Sequence, residues 1–175
     1  MRILNYIFFF VSILLFSCED KCEYYRTYTI QNPLYETKQT IRDTVDYVES
    51  REINNPGKLN YKDGFIFISE IGKGIHVVDN RNINNPENIG FIILPGNYDI
   101  ATKGNYLYAD SYLDLVVFDV SNLTSISEVN RVEGVFENYY INQGLYSEEL
   151  GIVVGFDEEV VEEFIENNDC ELAYD

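Results

Sequence analysis

The sequence contains no tryptophan, a single histidine and three cysteines among its 175 residues, and basic residues are few. One histidine, His76, and no CxxC pair argue against a zinc site, which needs a cluster of Cys or His ligands. The 12 Lys and Arg against 30 Asp and Glu give a net charge of -18, which argues against a nucleic-acid partner, because phosphate binding needs basic clusters. No serine or cysteine lies in a nucleophile motif with a base. The sequence therefore predicts no catalytic residue, no metal and no cofactor.

The N-terminus has the pattern of an export signal. Arg2 precedes an apolar run from Ile7 to Phe16, which is too short to span a bilayer as a permanent helix. The run ends in "LFSC" (residues 15–18), which resembles a bacterial lipobox, with leucine three residues before cysteine. The resemblance implies that residues 1–17 are a lipoprotein signal peptide and that Cys18 is acylated, which anchors the protein to a membrane. A cleaved signal with an incidental cysteine is the alternative.

The residues that follow indicate an envelope location. Glu19 and Asp20 come directly after Cys18 and resemble the surface-export signals of lipoproteins in Bacteroidetes-type bacteria. This resemblance implies the outer membrane, with the protein on its periplasmic or its exposed face. An oxidising compartment also permits a disulfide between Cys22 and Cys170, although the sequence leaves open whether the two cysteines meet.

The composition changes along the chain. Residues 18–52 are predicted to be the lipidated N-terminus and a polar tether. Residues 53–157 consist of short runs rich in Ile, Val, Tyr and Phe, separated by Gly, Asn, Asp and Pro, which is typical of a strand meander. Residues 158–175 are predicted to be an acidic tail, in which the apolar residues between Val160 and Ile165 either share one helical face or continue a strand.

A repeat at a spacing of forty residues is the strongest signal. Asp79 aligns with Asp119 without a gap, as does Phe67 with Leu107, and a weaker third copy spans residues 150–159. A period near forty with four short strands is typical of a β-propeller blade, whose faces become buried only when neighbouring blades stack on them. The predicted fold is all-β, a partial β-propeller of about two to three four-stranded antiparallel blades, preceded by the signal peptide and the tether.

These segments resemble the LVIVD-repeat proteins, β-propeller lipoproteins common in Bacteroidetes, over roughly Ile53 to Phe156. The pentapeptide "LVVFD" (residues 115–119) is close to the name-giving motif, whereas "IHVVD" (residues 75–79) departs from it at His76. Members of the family have no assigned catalytic residues, so the resemblance implies none here. Family members are usually longer, which implies a short or truncated member, an open partial propeller, or part of a ring completed by self-association.

Two groups of side chains are candidate functional residues. Asp79 and Asp119 end the two repeated strands; they either line one face as a cation site or, as we predict, accept backbone N–H groups in structural turns. The segment from Asp110 to Tyr112, with four further tyrosines nearby in sequence, has the mixture of aromatic and polar groups that suits protein or glycan contacts. For most of these tyrosines, however, we predict packing between blades, with ligand contact as the alternative; the four are Tyr106, Tyr108, Tyr139 and Tyr140.

The expected function is that of a lipid-anchored cell-envelope repeat protein, a non-enzymatic binding or scaffold module for protein or glycan. Two alternatives remain open at this point. One is a propeller-based hydrolase or lyase that uses clustered carboxylates as general acid and base. The other is a truncated fragment without an independent function. The expected partners are the membrane, through the N-terminal lipid, a protein or glycan ligand, and a second copy of the chain.

Overall fold

The computed structural model describes residues 22–167. Strands dominate, and the fold is all-β. The described residues contain these elements in chain order: β1 (Cys22–Glu36), α1 (Lys38–Asp43), β2 (Asp46–Val48), β3 (Pro56–Lys62), β4 (Phe65–Glu70), β5 (Gly74–Asp79), β6 (Glu87–Ile93), β7 (Ile100–Lys103), β8 (Tyr106–Ser111), β9 (Asp114–Asp119), β10 (Ser127–Val132), α2 (Glu137–Asn142), β11 (Tyr146–Ser147) and β12 (Gly151–Asn167). Neither α1 nor α2 is long or apolar enough to cross a membrane, and residues 22–167 contain no other candidate.

The chain forms two compact units, which are described separately. The larger unit consists of residues 33–156. In the smaller unit the described residues are 22–32 and 157–167, the outer parts of β1 and β12. There the ring of Tyr25 lies 5.4 Å from that of Phe164, and the amide of Asn32 donates a hydrogen bond to Glu159 at 3.0 Å.

The first blade is the antiparallel meander β3 to β6, which β2 extends at the β6 edge. The turn between β3 and β4 is Asp63-Gly64, with positive φ at both residues (50° and 88°), and this Asp-Gly pair is a common signal for a tight hairpin. Phe67 pairs with Val77 across β4 and β5, so both side chains lie on the same face of the sheet. That face is buried.

The second blade is the antiparallel meander β7 to β10, and it packs face to face with the first. Neither sheet has enough apolar partners within itself, so the two faces close on each other and exclude water. Hydrogen bonding adds to this contact, because Thr102 on β7 donates to Asn60 on β3 at 2.6 Å. The shared core consists of Phe67, Ile75, Val77, Ile92, Leu94, Ile100, Leu107, Ala109, Val116, Phe118, Val120 and Ile126.

The two blades confirm the predicted repeat but shift part of its alignment. The strands β5 and β9 lie at a spacing of forty, whereas β4 and β8 lie at forty-one. Residues 71–73 connect β4 to β5, but only Tyr112 and Leu113 connect β8 to β9. Aligning Phe67 with Leu107 is therefore wrong by one residue, because a shorter turn in the second blade displaces the strand before it.

The predicted tether, residues 18–52, contains regular structure where it is described. The helix α1 begins after Thr37, whose hydroxyl accepts a hydrogen bond from the backbone N–H of Thr40 at 3.1 Å. Ile41 on this helix is 6% exposed and packs in a second core cluster with Leu113, Tyr146 and Ile152. The prediction of a tether is wrong for residues 22–48, because sparse apolar residues in this polar segment find partners that the sequence pattern does not reveal.

The predicted acidic tail also differs from the structure. β12 continues to Asn167, so the strand reading of the segment from Val160 to Ile165 is correct and the helical one is wrong. Val160 is 68% exposed and Phe164 49%. Residues 168–175 lie outside the described residues.

A buried carboxylate connects four segments of the larger unit. Asp114 begins β9 and is 4% exposed. It accepts hydrogen bonds from Nε of Arg42 at 2.9 Å, from Arg131 at 3.0 Å and from the backbone N–H of Gly134 at 3.0 Å. Burial alone would raise the pKa of Asp114, but these hydrogen bonds outweigh it and hold the pKa below its ordinary value.

We expect Asp114→Asn to lower the free energy of unfolding by about 3 kcal/mol, because it removes the buried counter-charge that Arg42 and Arg131 share and leaves them only the more exposed carboxylates of Glu133 and Glu128. Urea unfolding followed by circular dichroism measures this change. Asp63→Asn is the matched control, since the Asp63 side chain is 78% exposed and a turn residue with positive φ tolerates asparagine. Equal losses in the two variants would contradict the structural role of Asp114.

The same carboxylate predicts the pH dependence of stability. Its folded-state pKa is lower than its unfolded value, so its contribution is fully present above pH about 4 and is lost as the pH falls through the folded-state pKa. We expect the wild-type protein to lose stability below pH about 4, and Asp114→Asn to show a smaller loss over that range. Urea midpoints measured at a series of pH values test this, and identical slopes would contradict it.

Candidate functional site

An aromatic pocket of about 370 Å³ lies beside the second blade. Four tyrosines, one phenylalanine and one carboxylate line it, and Leu145 completes its wall. We call it the tyrosine pocket, and its defining residues are Tyr98, Asp110, Tyr112, Phe136, Tyr139 and Tyr140. All of them belong to the unit of residues 33–156. A concave site with aromatic walls and one charged group is the usual form of a small-ligand site.

The β8–β9 turn and the loop after β6 position two of the tyrosines. Tyr112 has φ 49°, and its N–H donates to the carbonyl of Gly96 at 3.3 Å. Ser111 supports the same loop by donating from its hydroxyl to the carbonyl of Pro95 at 2.8 Å. A Cβ atom at Gly96, which has φ 72°, would lie 2.4 Å from the ring of Tyr112. Glycine is therefore required there for the ring to lie against the backbone.

The helix α2 supplies the opposite wall. The N–H of Phe136, just before the helix, donates to the carbonyl of Leu113 at 2.9 Å and so ties α2 to the β8–β9 turn. The ring of Tyr140 lies 6.1 Å from that of Tyr112 and 5.7 Å from that of Tyr139, with interplanar angles of 71° and 79°. Successive rings therefore meet edge to face, a favourable geometry for aromatic pairs.

Asp110 is the charged group of the pocket. Its Oδ1 atom accepts three hydrogen bonds, from the backbone N–H of Tyr98 at 2.7 Å, from that of Asp99 at 2.9 Å and from the amide of Asn97 at 2.9 Å. Burial raises the pKa of Asp110, and these donors offset that effect only in part. Within residues 22–167, Asp110 has no ion-pair partner.

The phenols of Tyr112 and Tyr140 stay neutral at physiological pH. Burial raises the pKa of Tyr140, and the nearby charge of Asp110 raises it further. Burial also raises the pKa of Tyr112. Neutral phenols keep the electron-rich ring faces and O–H donors that suit a polar or cationic ligand.

The sequence identified part of this site. Asp110, Tyr112, Tyr139 and Tyr140 come together as the composition of the segment suggested. The sequence missed Tyr98 and Phe136, which lie on a loop and just before a short helix and carry no periodic signal. Two tyrosines named from the sequence do not line the pocket: Tyr106, which is 44% exposed, and the half-buried Tyr108.

Asp79 and Asp119 lie at equivalent turns. Oδ1 of Asp79 accepts the N–H of Arg81 at 3.0 Å, and Oδ1 of Asp119 accepts the N–H of Ser121 at 2.8 Å. Each is an Asx-turn at the end of its strand. Hydrogen bonds from the side chain and backbone of Arg81 lower the pKa of Asp79 to about 2, so this carboxylate remains charged. Among the described residues, no group of three or more His, Cys, Asp or Glu side chains is arranged to hold a metal ion.

The Asx-turns border a second pocket, of about 460 Å³, at the other end of β8. Its charges are already paired, since Arg81 binds Asp79 and Lys62 binds Asp63. Cys18 and Cys170 lie outside the described residues, so the lipidation and the Cys22–Cys170 disulfide stay predictions.

His76 is fully buried in β5 with its ring nitrogens occupied. The amide of Asn88 donates to its Nδ1 at 3.3 Å, so Nε2 carries the proton and donates to Glu70 at 3.1 Å. Glu70 also accepts the backbone N–H groups of Asn54 and Asn55. These contacts make His76 a packed structural residue that holds the segment before β3 against the first blade.

Comparison with known proteins identifies the second blade. Residues 96–133 match the family model of the LVIVD repeat. The match covers 38 of the 175 residues. It contains β7 to β10 complete, together with Tyr98, Asp110 and Tyr112 of the tyrosine pocket, whereas α2 follows it. The resemblance to the LVIVD repeat is thereby confirmed for the second blade, and together with the all-β fold it indicates a β-propeller-like repeat protein. No curated protein and no solved structure matches the chain.

Alanine substitutions at two glycines test whether Tyr112 packs on Gly96. Gly96 and Gly104 both have positive φ (72° and 58°), but an added Cβ meets the Tyr112 ring at the first and nothing within 4 Å at the second. We expect Gly104→Ala to cost about 1 kcal/mol of folding stability from backbone strain alone. Gly96→Ala should cost about 1–3 kcal/mol more because of the added clash. Chemical unfolding measures both variants, and equal losses would show that Tyr112 does not pack on Gly96.

Proposed function

We propose that this repeat protein is a non-enzymatic binding module at the cell envelope, anchored by lipid at Cys18, and that it binds its ligand in the tyrosine pocket. One observation carries the proposal: five aromatic rings line a pocket together with a half-buried carboxylate that has no ion-pair partner among residues 22–167. Burying such a group is costly unless a partner offsets it. A ligand supplies that partner.

The composition of the pocket supports binding over catalysis. A hydrolase or lyase of the alternative kind needs two convergent carboxylates as acid and base. In the tyrosine pocket the lining carboxylate is Asp110, while the acids clustered in the sequence, Asp157 to Glu159, are exposed on β12. The blade pair serves as a rigid scaffold on which loops and a short helix present the ligand-binding groups.

Binding is tested with three soluble probes that fit a pocket of this size: methyl β-glucoside, Nα-acetyl-lysine methylamide and its neutral analogue Nα-acetyl-norleucine methylamide. We expect at least one of them to shift backbone NMR signals of residues 96–145. Tyr139→Leu should weaken that probe about fivefold or more, by loss of an aromatic wall. Tyr61→Leu is the matched control, because Tyr61 is 61% exposed on β3 and Tyr139 is 62% exposed.

The binding proposal fails if none of the three probes binds. It also fails if Tyr139→Leu and Tyr61→Leu change the affinity equally, because binding would then not depend on the tyrosine pocket.

The anchor is tested separately. We expect the full-length protein expressed in a bacterium to incorporate labelled palmitate and to fractionate with the outer membrane, and Cys18→Ala to lose both properties, because the acyl chains supply the membrane affinity. Persistent labelling of Cys18→Ala would contradict lipidation at this residue. Protease treatment of intact cells then distinguishes the exposed face from the periplasmic face.

A further inference from the structure

We propose that the ligand of the tyrosine pocket carries an alkylammonium group, which inserts between the aromatic rings and binds the carboxylate of Asp110. This inference rests on the proposed binding function and names its chemical class. A free amine and a lysine side chain on a protein are two sources of the same group.

The charge of Asp110 favours a cation. Other carboxylates of the larger unit with a shifted pKa have it lowered by donors within the protein, and Asp110 differs from them because its pKa is raised. Asp114 has two arginines and Asp79 has Arg81. Neighbouring Asp99 already has a counter-charge, since it pairs with Lys58 at 2.6 Å. A cationic ligand would thus provide Asp110 with the counter-charge that its neighbours already have.

The free oxygen of Asp110 favours ammonium over guanidinium. Oδ1 already accepts three N–H groups, from Tyr98, Asp99 and Asn97. Within the described residues, no hydrogen bond reaches Oδ2. A guanidinium binds best when both carboxylate oxygens accept from its fork, whereas an ammonium is a compact donor that one oxygen satisfies. The donor geometry therefore selects an amine.

The arrangement of the rings favours a cation over a sugar. Stacking on a sugar needs a flat aromatic platform. The ring plane of Tyr140, however, forms an angle of 71° with that of Tyr112 and of 79° with that of Tyr139. Nearly perpendicular rings form walls on different sides of the pocket, which is how aromatic cages surround an ammonium group. The net charge of -18 adds a long-range attraction for any cation.

The test ranks n-butylammonium, Nα-acetyl-lysine methylamide and the neutral Nα-acetyl-norleucine methylamide by NMR titration at low ionic strength. We expect both cations to bind at least about tenfold more tightly than the norleucine derivative. Higher affinity for the lysine derivative than for n-butylammonium would identify a protein side chain as the source. The reverse order would identify a free amine. Equal affinity for the cations and the norleucine derivative would overturn the inference.

Variants at Asp110 and Tyr139 separate the contribution of the charge to binding from that of the aromatic rings. Asp110→Asn keeps an oxygen that accepts from the backbone of Tyr98 and Asp99, so we expect it to fold and to weaken cation binding about tenfold. Tyr139→Leu should weaken it about fivefold, and Tyr139→Phe, which keeps the ring face, should change it less than about twofold. Full affinity in Asp110→Asn would overturn the inference. So would equal losses in the two Tyr139 variants, since the ring face would then not matter.

The two proposals fail in different ways. If methyl β-glucoside binds in the tyrosine pocket and the cations do not, the cation inference is wrong while the binding function stands. If no probe binds, both are wrong. Tyr139 is mostly exposed, so its variants remain folded and informative even if Asp110→Asn is unstable.

Discussion

The tyrosine pocket depends on a carboxylate that is not part of it. Asp114 accepts hydrogen bonds from α1, from β10 and from the backbone at Gly134, and so fixes the point from which the chain turns into α2. Arg42 and Arg131 neutralise it in a site that water hardly reaches. Because the three members of this charge network are largely buried, each is costly to remove singly, and the geometry they define is held tightly.

A second polar contact links α1, which carries Arg42, to α2, which carries two tyrosines of the pocket. Lys38 on α1 binds Glu137, the first residue of α2, at 3.0 Å, so that the two short helices are linked. Neither helix is long enough to be stable alone, since isolated helices of fewer than about twelve residues are marginal in water. Their positions come from the second blade through Asp114 and through the Phe136–Leu113 hydrogen bond. The tyrosines of α2 are thus placed by these polar contacts together with the second core cluster, against which Tyr140 packs.

The blades could be predicted from the sequence because the residues that specify their strands and turns recur at a fixed spacing. Short apolar runs and the Asx-turns at Asp79 and Asp119 recur with each copy, and each has a local cause. The regular structure of residues 22–48 was not predictable, since Ile41 is buried and Tyr47 half-buried by contacts distant in sequence. The site was half predictable: the composition indicated Asp110 and its tyrosine neighbours, but no local rule joins Tyr98 to α2.

The short β8–β9 turn makes the second copy of the repeat differ from the first. A two-residue connection forces Tyr112 into the left-handed region, where its side chain leaves the sheet and becomes a wall of the pocket. The first blade uses residues 71–73 for the same connection, with Gly72 at positive φ and no ring to present. Because its turn is one residue shorter, the second blade presents a ring where the first has none. The individuality of each blade therefore resides in its turns, and what the two blades share resides in their strands.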